Sequence, residues 1–434
     1  MSISKQKKVN VITLGCSKNL VDSEQLMRQL QNNDYDIMHD SDSDSDIVII
    51  NTCGFIDNAK QESINTILEF ADFKKKGKLD KLIVTGCLSQ RFAEELKTEI
   101  KDVDAWFGTS DLPQLLKYIH ADYRKELLGE RLLSTPGHYA YLKISEGCNR
   151  TCAFCAIPLM RGKHRSKSIE NLLTEAKNLA ANGIKELILI AQELTYYGLD
   201  IYKKRMLDSL LRQLAGIEGI EWIRLHYAYP NQFPLNILPV INEYDNLCKY
   251  LDIPFQHAND AVLKRMKRNS TRHEQEQLIK KIRKAVPDIA LRTTMLVGFP
   301  GETESEFNDL LQFVADIRFD RLGVFTYSHE ESTSAYKFID DIPMSLKEER
   351  AARLMALQQE ISFEKNKNRI GKVLKVLIDR CEGDYFIGRS QFDSPEVDNE
   401  ILISTQDDYL RIGDFVQAEI TDVSDFDLYA KKIT

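Results

Sequence analysis

Three times before Leu88 a short apolar run stops at a cysteine. "VNVITLG" leads to Cys16, "DIVIINT" to Cys53 and "KLIVTG" to Cys87, and a helical stretch follows each. Runs this short, rich in Val and Ile and separated by helices, read as βαβ units that build a parallel sheet. In such a sheet every parallel strand ends on the same edge, where ligands gather. The pattern therefore predicts three thiols from distant parts of the chain on one rim. Three thiolates so placed can hold an iron–sulfur cluster and leave one iron open. Three buried structural cysteines are the bland alternative, since free cysteine is among the most buried residue types. Repetition of the same placement favours the shared site.

The chain has 434 residues, enough for several domains. The β/α pattern loosens over residues 127–142, where Pro136 and Gly137 mark a boundary. It then resumes with six strand candidates, "AYLKIS", "ELILIAQE", "WIRLHYA", "YLDIPFQ", "ALRTTMLVG" and "RLGVFTY". Six parallel strands with crossover helices predict a partial (β/α)6 barrel, which places its chemistry at the C-terminal strand ends. A charged helix over residues 345–370 follows, stopped by Gly371. The rest is β-patterned and predicts a small antiparallel β-barrel. The expected architecture is thus α/β, with a parallel-sheet domain over 1–127, a partial barrel over 134–366 and a terminal β-barrel over 367–434.

A second cysteine set is local. "SEGCNRTCAFCAIP" (residues 145–158) holds Cys148, Cys152 and Cys155 at C-x3-C-x2-C, with Phe154 just before the last. A tetrahedral zinc site and a cubane cluster both want four ligands, and this run offers three. Zinc completed by His164 or His138 is one solution. Polar residues gather at later strand ends: Gln192 and Glu193, His226 and Tyr229, Gln256 and His257, then Gly298, Pro300, Gly301 and Glu302. Each is a candidate cofactor contact by position, although a lone His or a Gly–Pro turn more often serves structure. The basic run "KRMKRNSTR" (residues 264–272) reads as a solvated helix face rather than a docking patch. Cys248 and Cys381 have no partner at ligand spacing and read as structural.

Composition narrows the class. Charged residues make up 29% and hydrophobic ones 43%, as in ordinary globular proteins, and the formal net charge is −8. That balance does not suggest a nucleic-acid binder and suits a basic partner better. No apolar run reaches the roughly 18–20 residues a membrane span needs, and the polar start "MSISKQKKVN" shows no signal peptide. Clustered cysteines in a long chain argue for metal chemistry in a reducing compartment, hence a cytoplasmic protein without a membrane partner.

C-x3-C-x2-C just after the first strand of a β/α barrel resembles the radical S-adenosylmethionine (SAM) superfamily. The resemblance implies that Cys148, Cys152 and Cys155 bind three irons of a catalytic [4Fe–4S] cluster, with SAM as the missing ligand on the fourth. Reductive cleavage of SAM would give a 5′-deoxyadenosyl radical able to take hydrogen from an unactivated carbon. The whole chain resembles the methylthiotransferases, with a C-terminal TRAM barrel. "GCSKNLVDSE", "NTCGFI", "TGCLSQR" and "ISEGCNRTCAFCAIPLMRGKHRS" look most like the ribosomal-protein branch. The tRNA branch usually has "GCQMN" where this chain has "GCSKN", and Val-Val-Pro-Tyr-Thr-Arg where this one has Ile157-Pro158-Leu159-Met160-Arg161.

The resemblance further implies a second [4Fe–4S] cluster on Cys16, Cys53 and Cys87; by their positions beside the cysteine loop and at strand ends, Phe154, Gln192, Glu193, His226, Gln256, Gly298 and Pro300 are the expected cofactor contacts. The family more often has Asp then Thr where Glu193 and Leu194 stand, which weakens a specific role for Glu193. The implied reaction places a methylthio group on the β-carbon of an aspartate of small-subunit ribosomal protein twelve, free or on the assembling ribosome. Reduced flavodoxin or ferredoxin would supply electrons; the sulfur donor is left open. Charge agrees, since residues 367–434 carry nine basic against fourteen acidic side chains, a net −5, which fits a basic protein better than tRNA phosphates. The rival readings are a tRNA isopentenyladenosine methylthiotransferase and a non-catalytic iron–sulfur or zinc scaffold that binds ribosomes.

Overall fold

The computed structural model describes residues 6–406 and 409–433. The chain begins β1 (Lys8–Thr13), α1 (Ser17–Gln31), β2 (Asp36–His39), β3 (Ile47–Thr52), α2 (Asp57–Lys75), β4 (Lys81–Gly86), α3 (Cys87–Glu99), β5 (Ala105–Trp106) and α4 (Leu112–Tyr118). The five strands form one parallel sheet in the order β2-β1-β3-β4-β5. Alternation along each strand sends Val9, Val11, Ile47, Ile49 and Ile83 to a core with α1 and α4. Val48, Ile50, Leu82 and Val84 go to a second core with α2 and α3 on the other face. The winding reverses between β1 and β3. Cys16 and Cys53 follow those two strands, so they flank the crevice where doubly wound sheets bind ligands. β2 is an edge strand of half-exposed residues with no apolar alternation to announce it.

The central part runs β6 (Tyr139–Lys143), β7 (Ser145–Glu146), α5 (Ile157–Arg161), β8 (Arg165–Ser166), α6 (Ile169–Ala181), β9 (Glu186–Ile190), α7 (Leu207–Ala215), β10 (Trp222–Leu225) and α8 (Ile237–Glu243). It continues with β11 (Leu247–Asp252), α9 (Asp260–Arg265), α10 (Arg272–Ala285), β12 (Ala290–Val297), α11 (Glu304–Ile317) and β13 (Arg321–Thr326). All six expected strands are present, in parallel and in sequential order from β6 through β9 to β13, and the sheet does not close. Leu187 and Leu189 face the outer helices. Their neighbours Ile188 and Ile190 join Tyr139 and Tyr141 on the other face, packed on Leu20 and Val21 of α1. The N-terminal domain therefore caps the sheet directly. The short pair β7–β8 is antiparallel and clips together the base of the C-x3-C-x2-C loop.

α12 (Met344–Lys367) leads to β14 (Val373–Glu382), β15 (Tyr385–Ser390), β16 (Ile401–Ser404), β17 (Phe415–Val423) and β18 (Leu428–Lys432), a closed barrel. Four pairings are antiparallel, as expected, but β16 and β18 pair in parallel to close it. The barrel docks Leu377, Phe392 and Phe415 on Trp222, Cys248, Tyr250 and Ala290 of the central sheet. Buried ion pairs accompany them: Glu186 with Arg224 (2.8 Å) and with Arg389, Arg321 with Asp393, and Arg292 with Asp398 (3.3 Å). Among the described residues no helix is long and apolar enough to cross a membrane.

Candidate metal centres

The strand-end cysteines come together as the topology requires. Cys16 precedes α1, Cys53 follows β3, and Cys87 opens α3. Close approach needs a glycine before Cys16. Gly15 has φ +89°, and a Cβ there would stand 2.6 Å from Cys53 Cβ. Cys53 is fixed by Ser63, whose Oγ accepts from the Cys53 amide (3.0 Å) and donates to its carbonyl (2.9 Å). Burial pushes the Cys53 thiol up and the Cys87 thiol up to about 12.

The second triad occupies the loop between β7 and α5. The Arg150 amide points at Cys148 Sγ (3.4 Å), and the Arg268 guanidinium donates to Cys152 Sγ at 3.3 Å. Tyr229 Oη lies 3.8 Å from the same sulfur and donates to the Arg268 carbonyl (2.9 Å). Burial pushes Cys148 up to about 11 and Cys155 up to about 12. Such thiols hold protons at neutral pH unless metal cations displace them. All six cysteines are free. Thiols as the sole donors, with N–H groups directed at two of the sulfurs, fit iron–sulfur ligation. Among the described residues no three His, Cys, Asp or Glu converge closely enough to share a single metal ion. The two histidines a zinc site would recruit are engaged elsewhere: His138 with Asp379 (2.7 Å) and His164 with Ser166 (3.1 Å).

The segments that carry the two triads meet at one border. Cys87 shares an apolar cluster with Ala156 and Ile157, which directly follow Cys155, and with Met160 of α5. Thr109 Oγ1 donates to the Met160 carbonyl (2.7 Å), a second tie across the boundary.

The other expected site residues divide. Gln192 stays with the loop: its Oε1 accepts from the Gly147 amide and its Nε2 donates to Glu146, both at 2.8 Å. Glu193 is buried and pairs with Arg150 Nε at 2.7 Å, which orients the cysteine loop. Phe154 packs against a cluster that includes Val262, Leu296, Phe299 and Tyr327. Gly298 (φ +73°) admits Lys347, since a Cβ would meet Lys347 Cγ at 2.3 Å. Pro300 is buried in the same turn, where Glu302 accepts from the amides of Gly298 (2.5 Å) and Phe299 (3.0 Å). Gln256 extends β11 through main-chain bonds with Thr294 and Leu296. His226 is turned to the C-terminal barrel, its Nε2 2.8 Å from Ser394 Oγ. Arg268 escaped the sequence reading because a basic run looks solvated, yet it is buried between Tyr229 (4.2 Å to the ring) and Cys152.

Residues 8–108 match a family described as Uncharacterized protein family UPF0004, residues 142–314 the Radical SAM superfamily and residues 370–433 the TRAM domain. The solved structure of a radical SAM methyltransferase, TsrM from Kitasatospora setae, superposes with a TM-score of 0.55 at 14% identity, over 74% of this chain and 75% of that one. The fold and the cysteine loop make this a radical SAM enzyme. Proteins named ribosomal protein uS12 methylthiotransferase RimO are 58% identical in Cytophaga hutchinsonii and 57% identical in Christiangramia forsetii. Each match covers 99% of this chain, with 98% and 95% of the respective relatives. The chain belongs to the RimO family of methylthiotransferases.

Proposed function

We propose that this enzyme transfers a methylthio group to ribosomal protein uS12, at the β-carbon of an aspartate, using two clusters on the two cysteine triads. The substrate reading rests on the full-length relatives, whose names specify uS12. The two-centre reading rests on one observation, the packing of Cys87 against Ala156 and Met160 beside Cys155. That packing supports the reading, which needs a group held at one triad to reach chemistry at the other.

Cys148, Cys152 and Cys155 would hold a [4Fe–4S] cluster that, with SAM, supplies one-electron cleavage and a hydrogen-abstracting radical. Around it the chain does three things. Arg268 and the Arg150 amide direct N–H groups at the sulfurs of Cys152 and Cys148 and so orient them for ligation. Gln192 locks the loop base through Gly147 and Glu146. Tyr139, Tyr141, Ile188 and Ile190 pack against α1 and keep water from the adjoining sheet face. Cys16, Cys53 and Cys87 would hold the second cluster, which would supply a place for the sulfur that is to be transferred. Reduced flavodoxin or ferredoxin fits as electron donor, and the cytoplasm, with ribosomes and reducing thiols, fits as the compartment.

The test is anaerobic reconstitution followed by incubation with SAM, sulfide and dithionite, uS12 and isopentenyladenosine-containing tRNA being offered in parallel. The expected result is about eight irons per chain and one methylthio group on a single uS12 aspartate by mass spectrometry. Modified tRNA with untouched uS12 overturns the substrate; iron near four per chain overturns the second centre.

A further inference from the structure

Arg161 ends α5, the helix that follows Cys155, and its side chain is only 3% exposed. It leaves its own domain. One guanidinium nitrogen donates to Asn19 Oδ1, and the other to Asp22 Oδ2 at 2.6 Å, both on α1. Asn19 in turn touches all three strand-end turns of the first triad. Its Nδ2 donates to the carbonyls of Leu14 (2.7 Å) and Thr52 (3.1 Å), and Cys87 Sγ lies 3.8 Å from its Oδ1. On the other side Arg161 stands 3.4 Å from both oxygens of Glu146. Glu146 is also held by Lys143 (2.7 Å) and by Gln192, which binds the Gly147 amide beside Cys148. One unbroken polar chain thus joins the two triads, and Arg161 is its centre.

Docking alone does not account for this arrangement. A buried ion pair is a weak stability device compared with apolar packing, and Cys87, Ala156 and Met160 already supply apolar contact at the same border. What an apolar side chain could not supply is positive charge beside Cys87. We propose that Arg161 is a positioning residue shared by the two centres: it fixes the first triad relative to the second through Asn19, and it lends the auxiliary cluster a charge carried by the radical domain. This rests on reading Cys16, Cys53 and Cys87 as a cluster-binding triad. A nearby cation favours the more negative, reduced state of a cluster, and charge and hydrogen bonds near the sulfurs set its potential.

The experiment is a redox titration followed by electron paramagnetic resonance on the reconstituted full-length protein, as wild type, Arg161→Gln, Arg161→Lys and Asp22→Asn, with iron counted in each. In Arg161→Gln the equilibrium constant for reducing the auxiliary centre is expected to fall about tenfold, ~59 mV for one electron, with a smaller change at the radical centre. Arg161→Lys keeps the charge and recovers most of the loss. Asp22→Asn removes one of the two anions that offset Arg161, Glu146 being the other, and moves the auxiliary centre the opposite way, a change of sign that lost packing does not produce. If Arg161→Gln fails to fold, Asp22→Asn decides alone. An unmoved auxiliary potential in Asp22→Asn, or a Lys variant as low as Gln, overturns the inference while the cluster reading stands. A wild type with only the radical centre overturns the cluster reading, and this inference falls with it.

Discussion

At the scale of single residues, Arg268 shows what a linear pattern hides. The six cysteines were legible because spacing and strand ends are properties of the chain order. Arg268 was not, because the fold alone takes one guanidinium out of a basic run and sets it 3.3 Å from Cys152 Sγ. A hydrogen bond to an ionised group contributes about 1.5–3 kcal/mol. Arg268→Gln is therefore expected to disfavour reduction of the radical centre and slow SAM cleavage roughly tenfold or more, read as 5′-deoxyadenosine formed under dithionite. An unchanged rate with full iron content would show that the contact has no electronic consequence. Gly15 makes the matching case for the other triad. Gly15→Ala must relieve both a φ of +89° and a contact of 2.6 Å with Cys53 Cβ. If the first triad holds the proposed second cluster, the expected outcome is loss of its irons with the radical centre retained, read by iron analysis and spectroscopy. Glu193, the residue that departs from the family pattern, still has a partner: it holds Arg150 over the rings of Tyr196 (4.0 Å) and Tyr229 (3.8 Å).

At the scale of elements, apolar periodicity made the strands of both large sheets readable, apart from those that lack it. β2 is short, polar and half-exposed. The parallel β16–β18 pairing could not be read, because alternation along a strand carries no record of its partner's direction. The segment between β13 and α12 was equally silent, and it does much of the joining. Residues 328–341 run from the N-terminal domain to the cysteine loop. Glu330 pairs with Arg91 of α3 (2.9 Å) and Lys60 of α2 (3.0 Å), and the Ala335 amide donates to the Ala153 carbonyl (2.8 Å). Glu330 is 2% exposed and Arg91 4%. Glu330→Gln keeps the shape and removes the charge, leaving a buried guanidinium without its counter-ion. Breaking one side of a buried pair costs about 3–5 kcal/mol. Earlier thermal unfolding and faster proteolysis between the first two domains are expected in apo protein, and a wild-type melting curve would refute the latch.

At the scale of the whole molecule, the count of charges was right while their direction was out of reach. The C-terminal barrel is acidic, but Asp393 faces Arg321, Asp398 faces Arg292 and Asp414 faces Lys185. Those carboxylates serve the radical domain as counter-charges, so net charge speaks less directly about the substrate than the sequence suggests. The same junction buries His226 between Tyr250 and Ser394. Burial, then the cations Arg292, Arg224, Lys18 and Arg389, hold its imidazole well below the usual 6.5. The ring is thus neutral in the fold and free to protonate in the unfolded chain. Below pH 6.5 the unfolded state binds more protons, so stability falls as pH falls. The slope approaches about 1.4 kcal/mol per pH unit until the native pKa is reached, and above pH 6.5 this residue adds no pH dependence. Asp393, depressed because Arg321 and Arg369 outweigh its burial, loses its contribution only at lower pH, beneath the ordinary carboxylate range. Melting curves of apo protein between pH 8 and 5 are expected to drop in the acid half for the wild type and to drop less for His226→Gln. Parallel curves for the two proteins would mean that the barrel's seat on the central sheet does not depend on this histidine remaining neutral.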